Sequence, residues 1–175
     1  MTFKNRMMKM VDLNFRPADQ SDQVLIFQLL KDAALWLQTK QINHLNVWLN
    51  PSPGLVRWIS QGFERNEFNL VCLGENVIGC FRLQWTDELF WGKNSEPAGY
   101  VHSFTIVRSL AGQHLGERTL ALIEEHCRRH GKDRLRLDCT TKNHRLRGYY
   151  EECGFCRVGE IPIGDGSTTL YEKRI

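Results

Sequence analysis

Nowhere in the 175 residues does an apolar run approach the roughly 20 that a helix needs to cross a bilayer, so no membrane association is expected. The opening MTFKNRMMKM is basic, but no apolar stretch follows it. That argues against a secretory signal and reads as a flexible leader over residues 1–10. Excess charge of one sign is also lacking: the net charge is only +3, and the basic residues are dispersed apart from clusters such as Arg128-Arg129 and Arg145-Arg147. Nucleic acid would require a stronger electrostatic footprint. Internal repeats, low-complexity tracts and linker-like stretches are absent, so one domain over 1–175 is expected. What remains, 42% hydrophobic and 25% charged residues, suits a globular chain able to bury a sizeable core.

Cysteine is not scarce, but its placement excludes more than it suggests. Cys72, Cys80, Cys127, Cys139, Cys153 and Cys156 stand in apolar surroundings in a chain too large to need covalent staples. Free buried thiols in a reducing cytoplasm fit this best. Cys153-Gly-Phe-Cys156 has the spacing of redox and zinc sites, yet it follows a helical segment and precedes a strand. A redox motif takes the opposite order, and no second Cys/His pair accompanies this one, so no metal is expected.

The elements read as an α/β chain with a mixed sheet. Val11–Pro17 alternates as a strand, and Asp19 or Ser21 caps a helix carrying Val24, Phe27, Leu30, Ala34 and Leu37 at helical spacing. Pro51 and Pro53 precede a short helix with Leu55, Trp58, Ile59 and Phe63. Phe68–Leu73 and Val77–Trp85 form a hairpin about Gly74-Glu75-Asn76, the second strand half-buried through Val77, Phe81, Leu83 and Trp85. Thr86–Ala98 reads as a loop long enough to cover a site. Tyr100–Val107 is a strand, and Gly116, Leu120, Ile123 and Cys127 make the buried stripe of a helix ended by Gly131. Leu135 and Leu137 alternate with Arg134, Arg136 and Asp138 in another strand. Asn143 opens a helix to about Cys153, and two strands, Phe155–Ile163 and Thr168–Ile175, close the chain around Gly164-Asp165-Gly166. The order β-α-α-β-β-β-α-β-α-β-β predicts helices on both faces of the sheet.

The stretch FTIVRSLAGQHLG, from Phe104 to Gly116, carries the chemistry. An apolar strand turns at Gly112 and opens a helix near Gly116, which is how a backbone builds an anion cradle. Unpaired N–H groups at a helix start and the positive end of its dipole converge on a phosphate-sized space. Gly112 permits the turn, and Gly116 would let a ligand approach the first helical turn. A plain tight connection is the competing reading.

Together with N-H-R-L-R-G-Y-Y-E-E-C-G-F, from Asn143 to Phe155, this stretch closely resembles the GNAT superfamily of acetyl-CoA-dependent N-acetyltransferases. The family's first motif is Q/R-x-x-G-x-G/A. Asn143, Leu146, Tyr149, Tyr150, Glu151, Gly154 and Phe155 fall on the positions of its second. The chain departs from the first motif at Ala111, where Arg or Gln is usual, and at His114, where the middle glycine is usual.

The resemblance implies acetyl-CoA as co-substrate and a primary amine, on a small molecule or a protein, as acceptor. It assigns the coenzyme pyrophosphate to Ala111, Gly112, Gln113, His114, Leu115, Gly116 and Glu117, and the pantetheine amides to Phe104, Thr105 and Ile106. Asn143 would bridge coenzyme and helix, or serve simply as an N-cap. Tyr150 would be the general acid at the thioester sulfur; the competing reading is that Tyr150 and adjacent Tyr149 simply pack in the core. His102, Asp138, Asp87 and Glu88 are candidate bases, none singled out. Trp36, Trp48, Trp58, Trp85 and Trp91 either line an acceptor site or pack in the core. A homodimer is left open. The rival readings are a non-catalytic acyl-CoA sensor on the same fold and a C-x-x-C redox or metal protein.

Overall fold

The computed structural model describes residues 12–42, 46–93, 96–164 and 166–175; the leader lies outside them. Seven strands form one sheet: β1 (Leu13–Pro17), β2 (Phe68–Leu73), β3 (Asn76–Gln84), β4 (Ala98–Ile106), β5 (Arg134–Thr140), β6 (Cys156–Ile163) and β7 (Gly166–Arg174). Their spatial order is β1-β2-β3-β4-β5-β7-β6. The helices are α1 (Gln23–Gln38), α2 (Pro53–Glu64), α3 (Glu88–Trp91), α4 (Leu115–Arg129) and α5 (His144–Glu152).

Local chemistry sets these boundaries. The Asp19 and Asp22 side chains close a capping box ahead of α1, and the Ser52 hydroxyl accepts from Leu55 N–H with Pro53 in the first turn of α2. Gly131, at φ +69°, ends α4. Neighbouring residues on a strand face opposite ways, and the burial follows: Leu70 and Cys80 join one core with Ile26, Leu30, Ile59 and Phe63. Val71 and Phe81 join the other, with Leu120, Ile123 and Leu135. So α1 and α2 cover one face and α4 the other.

Three expectations need correcting. The strand β3 is buried continuously from Ile78 to Leu83, not on one face only, because helices cover both sides of the sheet. On α1 the inward stripe is Ile26, Leu29, Leu30 and Ala34; Val24 points to water at 80% exposure. The segment read as a plain loop before β4 contains α3, capped by the Asp87 carboxylate on Phe90 N–H at 3.3 Å. A fourth surprise is Arg136, read as the polar side of β5 but buried, where its guanidinium meets Glu96, Glu172 and Tyr100.

One irregularity positions the site. β4 and β5 are the parallel pair, and they are in register only from Ala98–Arg134 to Val101–Leu137. Beyond that point β4 runs on to Ile106 and β5 to Thr140 without pairing, so the sheet splits. On the far side of β4, Cys80 pairs with Thr105 while Arg82 pairs with His102. β4 therefore carries an extra residue, and Ser103 sits at φ +53°. A bulge bends the strand that carries it, here at the point where β4 leaves β5. Gly79 is required opposite: a Cβ there would collide with the Thr105 carbonyl.

Candidate active site

The split opens into a cavity of about 1230 Å³. Its walls divide into two groups. One comprises β4 from Ser103 to Ile106, the turn into α4, and α5 residues including Asn143, Tyr149 and Tyr150. The other comprises aromatic and aliphatic side chains of α1, α2 and α3, among them Trp36, Trp58 and Phe90. His102 and Asp138 lie in the cleft where β4 and β5 separate.

At the start of α4 the backbone is laid out as a donor array. Ala111 N–H is used by Arg108 C=O and Arg118 N–H by His114 C=O. Between them, the N–H groups of Gly112, Gln113, His114, Leu115, Gly116 and Glu117 meet no protein acceptor among the described residues. Six consecutive free donors at a helix N-terminus are an arrangement that can receive a polyanion. Gly112 reaches φ +82° with open space at its Cβ position, and His114 holds φ +55° as the N-cap. Along the β4 edge, Val107 N–H bonds Ile78 C=O on the β3 side, so strand alternation turns Ile106 N–H toward the split. A diphosphate with an amide-bearing tail fits this arrangement of donors: a polyanion at the turn, then a chain that could add to an open strand edge.

Side chains at these positions behave differently from their backbones. Leu115 is buried in the core and offers only its N–H, while Gln113 and Ala111 are exposed. His114 Nδ1 lies 2.7 Å from Glu117 Oε2, so the carboxylate is drawn onto the imidazole. The reason given above for Gly116 is corrected: the space over it belongs to the Tyr149 hydroxyl, which a Cβ would overlap. Asn143 is the N-cap of α5, its Oδ1 accepting from Leu146 N–H at 3.1 Å, and it also lines the cavity.

Both tyrosines contact the core and the cavity. Tyr150 is buried against Phe155 and Tyr171, with ring centroids 6.0 Å away in each case. Burial, then nearby Cys139, Tyr149 and Asp138, push its hydroxyl well above the usual phenol range, so it stays protonated at any physiological pH. The pattern Tyr-Tyr could not say that Tyr149 would cover Gly116; only the α4–α5 approach reveals it.

His102, one of the four candidate bases, meets two of the others. Its Nε2 lies 3.1 Å from Asp87 and its Nδ1 3.4 Å from Asp138, with its side chain only 11% exposed. Burial alone would discharge the ring, but hydrogen bonds to Asp138 and Asp87 outweigh it and raise the pKa to about 9. Glu88, the fourth, is exposed and outside the cavity lining. Because the folded value of about 9 exceeds the ordinary 6.5, the trio stabilises the fold fully below about pH 6.5. That contribution fades as pH rises through 9. Melting curves between these limits should show a decline for the native chain that His102→Gln lacks; parallel declines would contradict the charged trio.

The tryptophans divide between the cavity and the rest of the fold. Trp36, Trp48 and Trp58 line the cavity, whereas Trp85 stacks on His126 and His130 and Trp91 packs on Tyr100. All six cysteines are free; Cys153 is half-buried and Cys156 exposed. Among the described residues, no group of three or more His, Cys, Asp or Glu side chains could hold a metal ion, and no helix is long and apolar enough to cross a membrane.

Comparison with known proteins places this geometry. Over 165 residues the chain is 28% identical to the uncharacterized N-acetyltransferase YesJ of Bacillus subtilis (strain 168), covering 91% of this chain and 88% of that one. Its fold is similar to that of a GNAT-family acetyltransferase crystal structure from Listeria monocytogenes 4b F2365: TM-score 0.73, 23% identity, 93% and 95% of the two chains covered. It is also similar to aminoglycoside acetyltransferase AAC(6')-Ib crystallised with coenzyme A and kanamycin: TM-score 0.71, 16% identity, 93% and 95% covered. The profile of the acetyltransferase (GNAT) family matches residues 28–155, a span that takes in both the split strands and the free amides of α4. The chain therefore belongs to the GNAT family, and it is an acyltransferase.

Proposed function

We propose that the protein transfers the acetyl group of acetyl-CoA to a primary amine by direct attack of the amine on the thioester. The observation that carries this reading is the row of six free N–H groups from Gly112 to Glu117 beside the split sheet. Those donors hold the pyrophosphate, and the open edge of Phe104, Thr105 and Ile106 takes the pantetheine as an added strand. AAC(6')-Ib with its coenzyme A shows that a fold of this kind accommodates the molecule.

An arriving ammonium first gives one proton to solvent; the free amine then gives up a second as its nitrogen bonds to the carbonyl carbon, and the C–S bond breaks. Ile106 N–H is turned toward the split, suited to the developing oxyanion. Tyr150 donates its hydroxyl proton to the departing sulfur and is reprotonated by the proton the amine gave up. His102 keeps its own proton to about pH 9 and so does not act as the base at neutral pH; its part is to hold Asp87 and Asp138 in place. A covalent acyl-enzyme would need a thiolate, and burial pushes the Cys139 thiol up to about 12. Calorimetry with acetyl-CoA, followed by thiol release on adding amines, tests the proposal. Binding with amine-dependent release supports it, and absence of binding to the folded protein overturns it.

A further inference from the structure

We infer that the acceptor is a primary monoamine with an apolar body about the size of an aromatic ring, received in an aromatic cup with one excess negative charge at its floor. The inference rests on the acetyl-transfer reading above and names its second substrate. The cup is the helical wall of the cavity: Trp36, Trp48, Leu55, Trp58, Leu89 and Phe90. Its floor is His102, whose ring lies 5.5 Å from Phe90 and 6.2 Å, edge-on, from Trp58.

Charge and shape agree on the class. Asp87, which lies outside the cavity lining, pairs with His102 Nε2 at 3.1 Å, which leaves the Asp138 carboxylate on the cavity wall to face an arriving ammonium group. A polyamine or aminoglycoside would bring further cations, and the cup has no answering charges on its helical wall. The indole faces could in principle serve instead. Those of Trp36 and Trp58 already carry a cation, the Arg108 guanidinium 3.8 Å from the Trp36 ring and Arg82 3.9 Å from that of Trp58, while Trp48 is buried at 7% exposure. A second cation would meet the Arg108 charge on the cavity wall, whereas an uncharged apolar body would not; Arg82 is buried and neutralised by Glu67. Leu89, 79% exposed yet part of the cavity wall, is apolar surface that such a body would cover.

The test uses the full chain with acetyl-CoA and three probes: 2-phenylethylamine, spermidine and kanamycin. The phenylethyl group should raise kcat/KM by roughly 30-fold over spermidine or kanamycin, the gain of burying one ring. Leu89→Lys, a change at an exposed position, should raise KM for 2-phenylethylamine about tenfold and leave acetyl-CoA affinity unaltered. Equal or better turnover of spermidine or kanamycin, with acetyl-CoA bound normally, would overturn the cup and leave acetyl transfer standing. Acetyl-CoA binding without acetylation of any probe would also overturn it. No acetyl-CoA binding by the folded protein would remove the underlying reading as well.

Discussion

Replacing Gly116 by Asp should lower the affinity for coenzyme A at least about 100-fold, a loss near 2.7 kcal/mol. Two effects act together. The new side chain would take the space over Gly116 that the Tyr149 hydroxyl holds, so that hydroxyl must swing away. Its carboxylate also lies within the first turn, where the free N–H groups and the dipole would otherwise attract the pyrophosphate. A negative side chain at a helix start stabilises that helix, so the variant is expected to fold. Calorimetry reads the result directly, and coenzyme affinity unchanged in a folded variant would mean the phosphates bind elsewhere.

The second large effect is kinetic. Tyr150→Phe should lower kcat about 100-fold or more while affinity for acetyl-CoA stays within a fewfold of the native value, as expected for removal of a general acid. Packing is nearly conserved because the ring remains against Phe155 and Tyr171. Tyr149→Phe is the control, since that hydroxyl sits over Gly116 and not at the proposed thioester. If both variants retained full turnover, neither phenol would be the proton donor.

Much of the architecture was legible because local signals were strong. Asp19, Ser52 and Asn143 cap helices as their residue types suggest, and Gly74 and Gly131 close turns at positive φ. The element order and the two motif segments led to the same family that the profile match later gave. What stayed hidden depends on contacts between distant segments. Periodicity could not choose between Val24 and Ile26 on α1, since both rows of α1 are apolar and only docking on β2 and β3 decides. Nor could spacing show that β4 abandons β5 after Val101, because pairing is not written in either strand alone. His102, Asp87 and Asp138 were individually visible, but their meeting requires the bulge at Ser103 and the cap of α3. The sequence Asp-Glu-Leu-Phe-Trp does contain an N-cap signature that would have revealed α3.

The most direct measurement follows the backbone amides of Gly112 to Glu117 by nitrogen-15 NMR while coenzyme A is added. Six successive signals should move downfield together and gain protection from solvent exchange, since each free N–H acquires an acceptor. Saturation of coenzyme binding with those six signals unmoved would contradict the account, because the grip on the diphosphate would then lie elsewhere.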